Sequence, residues 1–177
     1  MTTGPAVPDP DEKDWTWVLQ RACPECGFDS GSVGRAQIAG RLLAANPRWQ
    51  SVLRGPRVAV RPAPQVWSAL EYACHVNDVH ALFAQRGKLI QDSVDPAFVN
   101  WNQDETALQK RYWEADPAEV AARIEEGARA AASVFTDLSP EQWSRSGRRS
   151  NGSVFTMETL GLYYLHDIEH HLYDVGC

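Results

Sequence analysis

The sequence predicts an all-α protein built as a four-helix bundle. Three observations lead there. Four long segments carry apolar residues at helical spacing. No segment shows the alternation of a strand. No repeat of fixed period divides the chain, whose 177 residues suit one domain with a real core. Residues 1–30 read as an N-terminal extension and residues 31–177 as the bundle, with a long connection between helices two and three.

The extension opens "MTTGPAVPDPDEKDW", which has neither an apolar core nor a basic leader. It is expected to be no signal peptide, and its first dozen residues to be a flexible tail. "CPECG" follows, with Cys23 and Cys26 spaced like one knuckle of a zinc ribbon. A closed zinc site takes four ligands, and no second CxxC exists; Cys74 and Cys177 are too scattered to complete one. A tight structural turn is the first expectation, with a redox pair and a metal site as alternatives.

Helix one is expected over 32–53, with Val33, Ile38, Leu42, Leu43, Trp49 and Val52 apolar and Pro47 bending or interrupting it. "GPRVAVRPAP" is a linker, because its prolines and glycine forbid helix. Helix two is expected over 64–91, with Pro64 in its first turn. Trp67, Leu70, Cys74 and Ala81 share one stripe; Tyr72, His75, Val79 and Leu82 share the next. The connection "DSVDPAFVNWNQDETALQKRYWEA" is long enough to be functional or to hold a short helix, which "QDETALQKRYW" could supply. Helix three opens with Asp116 as N-cap and Pro117 at its first position, and runs to about Leu138. Helix four opens near Ser153, with Thr156 and Glu158 in its first turns, and runs to Val175 before Gly176 stops it.

A net charge of -6 argues against a nucleic-acid partner, though local arginine clusters remain candidate small-anion sites. No apolar run is long enough for a transmembrane helix. Four cysteines without an export signal read as reduced thiols in a cytoplasmic setting.

The chemistry concentrates in "LHDIEHHLYDV", residues 165–175. His166 and His170 lie one helical turn apart, and so do Asp167 and His171. With Ile168 at zero on a helical wheel, Leu165, Leu172, Val175 and Met157 fall between about -20° and +60° and define the core stripe. His171 falls at about -60° and Asp167 at about -100°, on the edge of that stripe; His166 and His170 fall nearly opposite. Asp167 and His171 are therefore the pair expected to look into the bundle. His166 and His170 are expected on the outer face, or against the N-terminal segment wrapping round it. His75, beside an apolar stripe in mid-helix, is the candidate third ligand. Two imidazoles and a carboxylate leave coordination positions for water or a substrate, as catalytic zinc sites do. The competing reading is a hydrogen-bonded core histidine at 75 and a polar helix end at 166–171.

The same residues carry a resemblance. Through "WSALEYACHVNDV" and "HDIEHHLYDV" the chain from about Ser32 onward resembles the DinB-like superfamily, which includes the mycothiol-dependent maleylpyruvate isomerase and related thiol transferases. The resemblance implies an up-down-down-up bundle with a divalent metal, zinc or nickel, at one end. The ligands it implies are a His on helix two and a His/Glu-xxx-His pair on the last helix. His75 and His171 take two of those positions, and Asp167 stands where the family has His or Glu. Asp is a methylene shorter than Glu. A shift of one residue to His166 and His170 restores His-xxx-His, so both registers stay open. Asp174, placed three residues beyond His171 as in the isomerase branch, favours Asp167 and His171.

The implied function is a metal-dependent enzyme that joins a low-molecular-weight, mycothiol-like thiol to a small electrophile, as an S-transferase or isomerase. The alternative is a non-catalytic metal-binding stress-response bundle acting through self-association; a third reading is a structural bundle without metal. On the first reading, Arg145, Arg148 and Arg149 clamp a substrate carboxylate, and Trp101, Asn102 and Asp104 form part of a lid. A solvated basic loop and ordinary tryptophan packing are the bland counterparts. Expected partners are one divalent ion per chain and a small-molecule substrate, with no nucleic acid and no membrane; a homodimer is left open.

Overall fold

In the computed structural model, which describes residues 5, 6, 8 and 14–177, four long helices carry the fold. They are α1 (Ile38–Leu53), α2 (Ala69–Asp92), α4 (Pro117–Val134) and α6 (Met157–Asp174). Two short helices, α3 (Gln103–Lys110) and α5 (Pro140–Ser144), lie in the connections. The expected flexible tail falls largely outside the described residues.

The helix limits follow from their caps. Asp116 Oδ1 accepts from the Ala118 and Glu119 amides at 2.9 and 3.0 Å, and Pro117 fills the first turn, as the sequence predicts. Thr156 caps α6 and accepts from the Thr159 amide. Gly176, at φ 72°, closes α6, and the Cys177 amide donates to Leu172 O at 2.9 Å.

Four limits differ from expectation. α6, expected to open near Ser153, begins at Met157, because residues 154–156 are extended and Thr156 is the N-cap. Residues 30–32 and 35–37 form short 3-10 turns separated by extended Val33 and Gly34, so α1 begins only at Ile38. It then runs unbroken through Pro47, since Leu42, Ala45 and Trp49 are buried on both sides of the proline. α2 begins at Ala69, not Pro64: Ser68 and Glu71 form a reciprocal capping box, and Arg61 ties the preceding turn down through Glu71 and Pro64 O. α4 stops at Val134, and Asp137 takes a left-handed backbone at φ 55°.

Helix directions can be read from cross-helix contacts. On α2 and α4, His80 meets Gly127 and Gly87 meets Val134, so residue numbers climb together and the helices are parallel. On α2 and α6, His75 meets His171 and His80 meets Tyr164, so these run antiparallel. On α1 and α6, Arg41 pairs with Glu169 and Arg48 donates to Cys177 O, so these are parallel. The path is up-down-down-up. Its parallel α2–α4 pair demands a long crossover, which is why residues 93–116 form so extended a connection.

A small sheet corrects the expectation of no strands. β1 (Ala97–Phe98) pairs in parallel with β2 (Ser146–Arg149), which pairs antiparallel with β3 (Val154–Thr156). Arg145 fastens the sheet to α2 by donating to Ile90 O and Ser93 O, carbonyls at that helix's C-terminal end. The core between the helices is fully buried at Ile38, Leu42, Trp49, Leu70, Ile124, Tyr164, Leu165 and Ile168.

Candidate metal centre

The N-terminal end of α2 and the C-terminal end of α6 meet at His75, Asp167 and His171. Antiparallel packing puts these helix ends together, and the helical wheel turns Asp167 and His171 toward α2. The three residues offer ligand atoms that all lie within 4.8 Å of one another. Asp167 Oδ1 stands 3.6 Å from His75 Nε2 and 3.6 Å from His171 Nε2. Donors about 2.1 Å from a shared tetrahedral ion would stand about 3.4 Å apart, so little movement would bring all three onto one ion.

His75 is held between two indoles, stacked on Trp101 at 5.5 Å and tilted against Trp67 at 5.5 Å. It is 1% exposed, and neither of its nitrogens has a hydrogen-bond partner among the described residues; nor has the buried Asp167 Oδ1. Buried polar atoms left in this state cost about 1–3 kcal/mol each, so the triad suits an ion far better than an empty core. On His171, Asp174 Oδ2 takes Nδ1 at 2.8 Å and leaves Nε2 facing Asp167. A carboxylate behind an imidazole in this way fixes its orientation and raises its basicity toward a metal.

The electrostatics set the ligand protonation states. Burial pushes the His75 imidazole below its ordinary pKa and outweighs the opposing pull of Asp167. Burial would raise Asp167, but His75 and His171 outweigh it and hold the carboxylate at about 2. Neutral imidazoles and an ionised carboxylate are the forms that bind metals.

The other register faces the N-terminal extension. His166 and His170 are 4% and 6% exposed, so they are covered and not solvent-facing. Trp15 packs on both rings, at 5.6 and 5.0 Å, and Phe28 meets His166 edge-on at 5.4 Å. The Cys23–Cys26 turn lies against the same pair, with Cys23 Sγ 3.7 Å from His170 Nδ1. The remaining histidine, His80, is a core residue bonded to the Tyr164 hydroxyl.

Beside the triad lies a pocket of about 640 Å³, a size suited to a small ligand. Asp167, His171 and Asp174 line it, as do Trp101, Asn102, Asp104 and Arg149. His75 lies behind this wall. The proposed arginine clamp is only partly assembled. Arg149 reaches the pocket, whereas Arg148 points outward and pairs with Asp95, and Arg145 is occupied with α2 carbonyls. Arg86 was not anticipated and lines the pocket as well. It is buried against Phe83 and Phe98, it has no carboxylate partner among the described residues, and its Nε has no hydrogen-bond partner. Burial, reinforced by the nearby Arg149 charge, pulls its pKa down to about 10, which still leaves it cationic at neutral pH. Nothing in the local sequence distinguishes Arg86 from a surface arginine; its burial arises from Phe98 folding back over α2.

The chain matches the DinB superfamily over residues 56–175. Its fold is similar to that of YfiT from Bacillus subtilis, described as a probable metal-dependent hydrolase with an unusual four-helix bundle topology. The TM-score is 0.71 at 18% identity, over 82% of this chain and 89% of that one. No curated relative matches the sequence.

Proposed function

The chain belongs to the DinB superfamily, and on that premise we propose that it is a divalent-metal-dependent enzyme acting on a small anionic electrophile with a low-molecular-weight thiol as co-substrate. The observation that carries this reading is the convergence of His75, Asp167 and His171, with the His75 nitrogens and Asp167 Oδ1 left without hydrogen-bond partners among the described residues, beside a pocket that also holds Arg86. His75, Asp167 and His171 hold the ion, zinc or nickel being the choices that suit two imidazoles. An ion held there would supply Lewis acidity that lowers a thiol's pKa toward neutrality.

The protein's own groups do the rest. Trp67 and Trp101 fix the His75 ring and keep water from it. Asp174 orients His171. Arg86 and Arg149 receive the substrate's carboxylate, a planar anion that guanidinium groups bind well. The electrophilic carbon of an α,β-unsaturated carboxylate then lies between the arginines and the triad, where the thiol sulfur would bond to the β-carbon as the C=C π bond breaks and the thiol's proton is returned to the α-carbon. A pocket of this size supports catalysis over a bundle that acts only through self-association.

A second reading, hydrolysis, is favoured by the description of YfiT as a probable metal-dependent hydrolase. In it, water takes the thiol's place.

The test is turnover of an α,β-unsaturated carboxylate by metal-loaded protein, with and without a low-molecular-weight thiol. Thiol-dependent adduct formation, lost in His75→Ala and shifted to higher KM in Arg86→Met, supports the first reading. Metal-dependent turnover without thiol transfers support to hydrolysis. Activity that survives His75→Ala unchanged removes the triad from catalysis.

A further inference from the structure

We propose that Cys23, Cys26, His166 and His170 form a second, structural zinc site that pins the N-terminal extension to α6. Their four ligand atoms all lie within 4.8 Å of one another. The two halves come from opposite ends of the chain: a CxxC turn at residues 23–26 and one turn of α6 at residues 166–170. Such a meeting is hard to explain as packing alone, since it gathers four metal-binding groups, three of them buried and one half-buried, at a single point.

The local geometry is that of a zinc knuckle. The Gly27 amide donates to Cys23 O at 2.9 Å and the Cys23 amide to Phe28 O at 2.8 Å, closing the turn round the two sulfurs. Gly27 sits at φ 75°, a left-handed backbone that glycine adopts without strain. Both cysteines are thiols, not a disulfide. Cys23 Sγ is 3.7 Å from His170 Nδ1, close to the separation of about 3.6 Å expected between sulfur and nitrogen on one tetrahedral zinc ion.

The histidines are prepared for ligation. His170 turns Nδ1 to the sulfur and Nε2 to carboxylates, Glu25 Oε2 at 3.3 Å and Asp174 Oδ1 at 3.7 Å. That is the carboxylate–imidazole arrangement that supports metal ligands elsewhere. His166 Nε2 is buried with no hydrogen-bond partner among the described residues, an open cost that a metal bond removes. Neutral imidazoles suit the role, and burial keeps both rings below their ordinary pKa.

Two sulfurs and two imidazoles select zinc, and four protein ligands close the coordination shell, so this ion binds no substrate. Its function is architectural. Trp15 and Glu25 of the extension line the pocket, and His166 and His170 line it too. Holding residues 23–26 on α6 therefore holds one wall of the pocket. The two ligand pairs on one helix end then have separate roles: Asp167 and His171 serve an ion inside the bundle, and His166 and His170 serve an ion beneath the extension.

The experiment is metal analysis of the purified full-length chain, together with cobalt substitution. Wild type should hold one zinc more than Cys23→Ser/Cys26→Ser protein, whatever the occupancy of the His75 triad. Cobalt-substituted wild type should show a thiolate-to-cobalt charge-transfer band that persists in His75→Ala and disappears in the cysteine variant. If the variant does not fold, wild type alone decides. Its Cys23 and Cys26 should resist alkylation until a chelator removes zinc, while Cys177 reacts at once. Hydrogen exchange over residues 15–33 should rise on chelation. Equal metal content in wild type and a folded cysteine variant overturns the site. So do a cobalt spectrum without the thiolate band, alkylation of both cysteines in untreated protein, or a Cys23–Cys26 disulfide in the purified chain. Loss of metal from His75→Ala bears on the triad alone.

Discussion

Asp174 stands behind both candidate sites, with Oδ2 2.8 Å from His171 Nδ1 and Oδ1 3.7 Å from His170 Nε2. It touches neither proposed ion, so its effect is on ligand orientation and basicity. Asp174→Ala should weaken metal affinity about 10–100-fold while leaving the helical content intact, measured by competition with a chelator of known affinity. Unchanged affinity would remove the carboxylate from the site. A second residue-scale consequence lies at Glu71. Burial would raise its pKa, but the Arg61 ion pair and the Ser68 bonds outweigh burial and hold it below the ordinary value. A depressed folded pKa stabilises the protein above the unfolded value of about 4.3, and that contribution is lost as pH falls through the folded value. Stability measured in denaturant should therefore drop below pH of about 4.3, and less steeply in Glu71→Gln. At neutral pH, Arg61→Leu strands the buried carboxylate and should cost about 3–5 kcal/mol.

Between elements, α2 packs tightly against α4 at Gly87. A Cβ on Gly87 would lie 2.6 Å from Val134 Cγ1, and Val134 is β-branched in a helix and has little freedom to turn aside. Gly87→Ala gains about 1 kcal/mol of helix propensity but incurs about 1–3 kcal/mol of overpacking. The net should be a lower Tm, restored by adding Val134→Ala; a Tm raised by Gly87→Ala alone would mean the helices stand further apart. The helix caps were legible where the signal was local and unambiguous, as at Asp116–Pro117 and Gly176. The start of α2 was not, because Pro64 suits a first turn as well as the Ser68–Glu71 box a few residues on. The sheet leaves no sequence signal because β1 is two residues long and β3 three, too short for an alternating pattern.

At the scale of the whole molecule, the bundle brings together groups that lie far apart in the chain. Wheel geometry on α6 alone separates Asp167 and His171 from His166 and His170; in the fold His171 meets His75 of α2, and His166 and His170 meet Trp15 of the extension. What the second pair meets is not written on α6: Cys23 and His170 are 147 residues apart, and only the wrapping of the extension joins them. Arg86 was hidden for the same reason, since its burial comes from a different segment. The parallel α2–α4 pair also fixes where the connection must cross, carrying Trp101 onto His75 as it returns. The most direct measurement is the metal content of purified wild type against His75→Ala/His171→Ala, with circular dichroism to establish that both are folded. The triad requires the double variant to lose one divalent ion per chain; a folded double variant that retains the wild-type metal content would contradict a metal centre at His75, Asp167 and His171.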